Sequence, residues 1–393
     1  MLMNEPRGRA RMLSVALLGF LLLDDLVQMV LLPLMPPFIQ FRHWAPWQAG
    51  VVMGGTAVGL ILLSPVMGHW LARGARARLL FAASALATVG AVLALGQSQS
   101  FWAFALAVGV LGLAQAGLSP ALFGSLGAIL PPAERTGQLV LVNRVAILGT
   151  LLTPLLSAGL LAVLGPRATF AALAAAFAAL TLGGLSKVPG RTPRPPSSPA
   201  NDPPRRAALF WATLVMAVVG LFEVLLPLRL AKPLHWTPAD TALYYCGLGI
   251  IVAATEWVAD HWASLGSPVH RLVIAVLWLL AGTAALPWIH AAWPFAIAAW
   301  ATAPAIGLLL DLVFAQAGGT SDAAVGFGWL EAALAAGSLV GTAGGGALIS
   351  WGGWPLPLWV LGAGLVAVLM VLGLHPPACV AAAQPDRRRR GHS

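Results

Sequence analysis

Runs of about twenty apolar residues recur along the whole chain, separated by short stretches that contain charged residues, proline or glycine. A helix of about this length crosses the hydrocarbon core of a bilayer, which is roughly 30 Å thick. Charged residues make up only 9% of the sequence. Soluble domains carry about 25%, so this chain could not cover its surface with enough charge to dissolve in water. The sequence therefore predicts an all-α, multi-pass membrane protein.

Twelve transmembrane helices are expected, and the loop between the ninth and the tenth is very short. The spans lie near residues 13–35, 46–69, 79–97, 102–129, 137–163, 167–186, 208–230, 240–262, 270–289, 292–314, 323–349 and 354–374. With the N-terminus inside, 17 of the 22 Lys and Arg residues fall in inner segments. This positive-inside bias predicts a cell inner membrane protein with both termini cytoplasmic. The net charge of +9 then reflects orientation and contact with anionic lipid rather than nucleic-acid binding.

One segment divides the chain into two halves. Residues 187–207 are rich in proline, serine and arginine, a composition typical of an extended, solvated linker. Six spans precede this segment and six follow it. We therefore predict an N-terminal six-helix bundle over 1–186, a cytoplasmic linker over 187–207, a C-terminal six-helix bundle over 208–375 and a basic cytoplasmic tail over 376–393.

The two halves also resemble each other in sequence. The fifth span, from Gly149, aligns without gaps with the eleventh span, from Gly337, and this places Gly165 on Gly353. The turn after the second span, from Gly68, resembles the turn after the eighth span, from Asp260. Such a duplication is the organisation of many secondary transporters.

Several motifs make the resemblance more specific. The turn between the second and third spans contains Gly68, Arg73 and Arg76, and the fifth span contains Gly149 followed by Pro154. These segments resemble the loop motif and the antiporter motif of the major facilitator superfamily, and within it of the twelve-span drug:proton antiporters. The family's loop aspartate is replaced by Ala72, and its span-four arginine motif is not found.

The resemblance implies two pseudo-symmetric six-helix bundles that rock around a central cavity. It gives gating roles to the loop and bend residues, which are Gly68, Arg73, Arg76, Pro154 and Asp260.

Charged side chains inside the spans are costly and are expected to be functional. Asp24, Asp25 and Glu331 lie nearest to mid-depth, whereas Glu223 lies toward the outside. Glu256 and Asp311 lie toward the cytoplasm and are interpreted as an interfacial or interhelical pair. We favour Asp25 as the proton carrier, with Asp24 and Glu331 as further candidates, because Gln28 falls on the same helical face three residues later. The alternative for the two aspartates is a structural acid that fixes span one against a neighbour.

Arg144 and Glu331 have to be considered together, because the repeat places Glu331 on Asn143, the neighbour of Arg144. The pair could form a salt bridge across the cavity, or Arg144 could bind a substrate carboxylate while Glu331 binds an amine. Alternatively, Arg144 extends to the inner membrane surface. Further candidates for substrate contact are Glu223, Gln28, Gln115 and Trp329. Other aromatic residues, among them Tyr244, Tyr245 and Trp300, could line a cavity or simply pack in the core.

The function predicted from these features is proton-coupled export of a small organic molecule, either a drug-like cation or a carboxylate-bearing metabolite such as a siderophore. The alternatives are a proton-coupled uptake symporter for a nutrient and a non-transporting scaffold or sensor. The two lysines lie outside any nucleotide-binding loop pattern, and the histidines lack paired ligand spacing. We therefore expect no enzyme activity, no cofactor and no metal, and a monomer whose partners are its substrate, protons and membrane lipid.

Overall fold

A computed structural model provides the coordinates for most of the chain. The described residues are 19–34 without 21, 24 and 25, 43–122 without 119, 125, 132–185, 188, 190, 206–230, 233–262, 268–317 and 323–374. For residues 132–151, 256, 259–262, 268–269, 311, 314–317, 323–324 and 371–374, only the backbone is described. The secondary structure within these ranges is helical, with no strand.

Six helices, α1 to α6, form the first half. One continuous helical stretch, Pro132–Leu185, bends at Gly165 and so provides both α5 and α6. The ranges are 19–34 for α1, Pro46–Met53 and Gly55–Ala72 for α2, Ala77–Gln97 for α3, Phe101–Gln115 for α4, 132–164 for α5 and 166–185 for α6.

Six further helices, α7 to α12, form the second half. Two of them are interrupted, α10 by a turn at residues 301–302 and α11 by the π-helical turn Val340–Gly344. The ranges are Arg206–Leu230 for α7, Pro238–Trp262 for α8, Pro268–Ala285 for α9, Ala292–Trp300 and Ala303–Ala317 for α10, Ala323–Leu339 and Gly345–Gly352 for α11, and Leu356–Leu374 for α12.

The described helices fall on all twelve spans expected from the sequence. By length and composition, eight helices in the described part of the chain are long and apolar enough to cross a membrane. The main difference is at α5, which begins at Pro132 rather than near residue 137. Proline suits the first turn of a helix, because the N–H that it lacks would have no helical partner there. The predicted linker is described only at residues 188, 190, 206 and 207, so its extended form stays a prediction.

The internal repeat is visible in the backbone. Gly165, at the end of α5, has φ 73° and ψ 167°. Gly353, which the sequence alignment places on it, has φ 78° and ψ 175° at the end of α11. This region of backbone conformation is essentially restricted to glycine. Because both equivalent helices end in the same rare conformation, the two glycines occupy matching positions in the two halves.

The two halves meet mainly where α2 packs against α11 and where α8 packs against the Pro132–Leu185 stretch. Helix α2 runs antiparallel to α11, so that Gly346 lies against Pro46 at one end and Gly328 lies against Ser64 at the other. The Trp47 backbone N–H also donates a hydrogen bond of 3.1 Å to the Ser350 hydroxyl across this interface. The contact between the halves therefore extends along most of α2.

Small residues allow α11 to approach α7 within the second half. Gly337, Gly341 and Gly345 recur every fourth residue and face α7, where a side chain at any of them would overlap that helix. This spacing is the small-xxx-small pattern by which membrane helices pack backbone to backbone. The position of α11, which carries Glu331, is therefore fixed by close contact with both α2 and α7.

An arginine at the C-terminal end of α7 joins three segments of the second half. The Arg229 guanidinium lies over the Trp354 ring, 4.8 Å from its centroid, and 5.8 Å from the centroid of Phe295. Its Nη2 donates a hydrogen bond to the His290 carbonyl. The side chain thus connects α7 to the α9–α10 and α11–α12 connections.

We expect Arg229→Ala to lower the free energy of unfolding by about 1–3 kcal/mol, because it removes two cation–π contacts and a charge-assisted hydrogen bond. Thermal melting of the purified protein in detergent measures the change. Arg167→Ala is the matched control, since Arg167 is exposed at the start of α6 and its loss should leave the melting temperature unchanged. Equal melting temperatures for the wild type and Arg229→Ala would contradict a stabilising role for Arg229.

Candidate functional site

A cavity of about 440 Å³ lies between the two halves. Residues of α1, α2 and α5 line it from the first half, and residues of α7, α8, α10 and α11 line it from the second. Most of the 23 lining residues are apolar, and three of them are methionines. The six with polar side chains are Gln28, Thr56, Glu223, Tyr245, Glu331 and Ser338.

Among the described residues that line the cavity, the charged ones belong to the second half. Glu223 on α7 and Glu331 on α11 both line it, and among the described lining residues no side chain is basic. In surroundings of low dielectric constant a carboxylate interacts strongly with a cation, because little water screens the pair. The described part of the cavity therefore suits a positively charged or protonated group better than an anion.

Glu223 lies at a local interruption of the hydrogen bonding in α7, which stays helical from Arg206 to Leu230. Pro227, four residues further along the helix, has no N–H to donate to the Glu223 carbonyl. The Tyr245 hydroxyl on α8 donates to the Phe222 carbonyl at 3.0 Å and lies 3.3 Å from the Glu223 carbonyl oxygen. A side chain of the neighbouring helix thus compensates for the hydrogen bond that proline removes.

The helix that carries Glu331 is also irregular close to the cavity. The π-helical turn Val340–Gly344 follows Ser338, which lines the cavity, and the Thr342 hydroxyl donates a hydrogen bond of 2.7 Å to the Ser338 carbonyl. The alignment of the halves places Pro154 of α5, another lining residue, on Thr342. Both equivalent helices therefore depart from regular α-helical hydrogen bonding at the same level, as is frequent at functional sites.

Three predicted site residues, Gln28, Glu223 and Glu331, converge on the cavity, and so does Pro154. Two others lie elsewhere. Trp329 is at the interface between the halves, where its ring makes an edge contact with His69 of α2 at 6.4 Å between centroids. Gln115 is buried at the end of α4, outside the set of residues that line the cavity.

Apart from Pro154, the residues predicted to gate lie at helix ends. Gly68 is buried in the last turns of α2, and Arg73 and Arg76 bound the short α2–α3 turn. In the same segment, the Arg78 Nε donates a hydrogen bond of 3.0 Å to the Val188 carbonyl, beyond the end of α6. Arg78, in the first turn of α3, therefore connects this end of α3 to the start of the predicted linker.

Several predicted residues fall outside what the structure describes. Asp24 and Asp25 are not among the described residues. Arg144 on α5, Glu256 and Asp260 on α8 and Asp311 on α10 are described only as backbone. Their proposed roles stay predictions.

The sequence analysis named Tyr245 only as an aromatic residue that could line a cavity or pack in the core, and it did not name Thr56 or Ser338. The hydroxyl groups of Thr56 and Ser338 give no signal in the sequence, since such residues also occur at many helix contacts in this chain. For Tyr245 an indirect signal exists, because Pro227 follows Glu223 by four residues and so frees a carbonyl beside an acid. Which aromatic side chain would supply the donor depends on how α7 and α8 pack.

A model of the Major Facilitator Superfamily matches residues 17–321, more than three quarters of the chain. The chain belongs to this superfamily. The predicted fold class, an all-α membrane protein with twelve helices in two pseudo-symmetric six-helix bundles, is confirmed. The predicted antiporter subgroup is a finer assignment, which the superfamily match leaves open.

Solved structures of other superfamily transporters share the fold. The human organic anion transporter MFSD10 (TETRAN) superposes with a TM-score of 0.70 and 16% identity, over 92% of this chain and 99% of that one. The nucleoside transporter NupG superposes with a TM-score of 0.68 and 13% identity, over 91% of this chain and 98% of that one. A bacterial homologue of the human lysosomal transporter Spinster, in an inward-facing and unoccupied conformation, superposes with a TM-score of 0.66 and 16% identity. The match covers 87% of this chain and 83% of that one. No curated protein is significantly similar to the chain in sequence.

Proposed function

We propose that this superfamily member exports a lipophilic organic cation in exchange for protons. The observation that carries the proposal is the cavity between the halves. Glu223 and Glu331 are the charged groups among its described lining residues, which are otherwise largely apolar. An amphipathic cation would place its apolar part against the methionine, leucine and phenylalanine side chains. Its charge would be neutralised by one or both carboxylates.

Proton exchange follows from the same two acids. A carboxyl group in an apolar cavity can be neutralised either by a proton or by a bound cation, so the two compete for it. Competition of this kind couples release of a proton to arrival of the substrate. Asp25, which lies outside the described residues, is the acid that the sequence favours as the proton carrier. The halves would rock on the surfaces where α2 meets α11 and where α8 meets the Pro132–Leu185 stretch.

The charge preference can be tested with two ions of nearly the same size and shape. We expect the purified wild-type protein to bind tetraphenylphosphonium, a cation, at least about tenfold more tightly than tetraphenylborate, an anion, because the cavity carries acidic groups. Equilibrium binding in detergent measures both affinities. Tighter binding of the borate would contradict the cation proposal and favour an anionic substrate, such as a carboxylate-bearing metabolite; MFSD10 is an organic anion transporter.

The direction of transport requires a separate measurement. In everted vesicles with an acidic lumen and a collapsed membrane potential, an exporter that exchanges protons should accumulate ethidium in the lumen. A proton-coupled uptake symporter would deplete the lumen under the same gradient. Vesicles without the protein provide the control for passive entry, and depletion relative to them would contradict the proposed direction.

A further inference from the structure

The hydroxyl of Tyr245 joins α8 to α7 at the level of the cavity. The Tyr245 side chain is only 8% exposed and lines the cavity. It donates to the Phe222 carbonyl at 3.0 Å, and the Glu223 carbonyl oxygen lies 3.3 Å away. The contact therefore falls on the two backbone carbonyls at the point where α7 carries its cavity acid.

The second of these carbonyls, that of Glu223, is where α7 lacks a helical donor. Pro227 cannot supply the N–H that the Glu223 carbonyl would accept in a regular helix. Within a membrane, a backbone carbonyl without a donor is costly, and side chains of neighbouring helices commonly restore the bond next to a proline. The backbone at Glu223 is consequently held by α8 as well as by α7 itself.

We propose that Tyr245 is a positioning residue for Glu223. Its hydroxyl fixes the α7 backbone at the interruption and so fixes the place from which the Glu223 carboxyl enters the cavity. Without the hydroxyl, α7 gains freedom at this point, and the carboxyl is less well placed to meet a bound cation. The assignment rests on the proposed function only in the identity of the ligand, since the backbone contact itself is independent of any substrate.

The adjacent residue provides a matched control. The Tyr244 hydroxyl donates a hydrogen bond of 2.9 Å to the Ala296 carbonyl on α10, and the side chain is 6% exposed. Tyr244→Phe and Tyr245→Phe therefore each remove one buried bond from a phenol to a backbone carbonyl. Tyr244→Phe removes a bond to α10, away from the cavity lining, whereas Tyr245→Phe removes a bond to α7 beside Glu223. A purely structural role predicts the same behaviour for both variants.

Hydrogen–deuterium exchange tests the local effect without any ligand. We expect the amides of residues 223–226 and 228–230 to exchange several-fold faster in Tyr245→Phe than in the wild type and to be unchanged in Tyr244→Phe. Thermal melting should show a similar decrease for the two variants, since each loses one hydrogen bond. Unchanged exchange of these amides in Tyr245→Phe would overturn the inference.

Binding of tetraphenylphosphonium tests the effect on the site. We expect Tyr245→Phe to weaken binding about fivefold, Tyr244→Phe to leave it unchanged, and the effect of Tyr245→Phe to vanish in a Glu223→Gln background. Equal weakening with glutamate and with glutamine at position 223 would overturn the positioning role. If the wild type binds no tetraphenylphosphonium, the cation proposal fails instead, and the exchange measurement still decides whether Tyr245 holds α7.

Discussion

Glu331→Gln should reduce proton-driven ethidium accumulation by about 10- to 100-fold. The substitution keeps the size of the side chain and removes its charge from the cavity between the halves. An interaction with a charged group in a buried site contributes about 1.5–3 kcal/mol, which corresponds to this range of binding and rate. Initial rates in everted vesicles, normalised to the amount of protein, measure the effect.

Asp240→Asn is the control for loss of a carboxylate in the same half. Asp240 is exposed in the first turn of α8, where its Oδ2 accepts a 2.8 Å hydrogen bond from the Thr237 backbone N–H, away from the cavity lining. It should retain transport close to that of the wild type. If Glu331→Gln transports at the same rate as Asp240→Asn, Glu331 is not part of the coupling or binding site.

Gly341→Val should cause a large loss of stability. A Cβ at Gly341 would overlap the Ala217 carbonyl oxygen and the Leu221 amide nitrogen, both of which are backbone atoms of α7. Backbone atoms cannot move aside without shifting a whole helix, so we expect a cost of about 3 kcal/mol or more. Melting temperature and the monodisperse fraction after purification should both fall.

Gly344→Ala is the control for this substitution. It lies in the same π-helical turn with φ −64° and ψ −45°, and a Cβ there would meet nothing within 4 Å. We expect it to be neutral, or to stabilise by up to about 1 kcal/mol, since alanine loses less backbone entropy than glycine on folding. If Gly344→Ala destabilises as much as Gly341→Val, the close approach of α11 to α7 is not the cause.

Much of the fold was predictable because the membrane restricts the secondary structure and the length of the segments that cross it. A span must be helical and about twenty residues long, so apolar runs between charged or proline-rich stretches identify the helices. The repeat could also be read from local sequence. The glycine spacing that aligns Gly165 with Gly353 reflects a backbone conformation that other residues rarely adopt, and the structure shows that conformation at both positions. Helix interruptions at Gly54 and in residues 301–302 were not predicted, since they depend on neighbouring helices that satisfy the freed backbone groups.

The candidate site was predictable only in part. Because charge is expensive in lipid, the sequence directed attention to a few acids, and two of these, Glu223 and Glu331, line the cavity. It also suggested Trp329, which instead packs against His69 between α2 and α11. Aromatic residues are suited both to cavities and to helix contacts, so residue type alone did not separate these two environments.

The sequence by itself determined the class of protein, the number and position of its helices, their twofold repeat and the few side chains able to carry charge within the membrane. Only the tertiary structure decided which of these side chains share a cavity and that Tyr245 holds α7 beside Glu223. The physical reason is that these helices are apolar around most of their circumference. Their periodicity therefore does not indicate which face meets lipid and which meets protein. Rotation about the helix axis is fixed instead by close contacts such as those of Gly341 with α7 and Gly346 with α2.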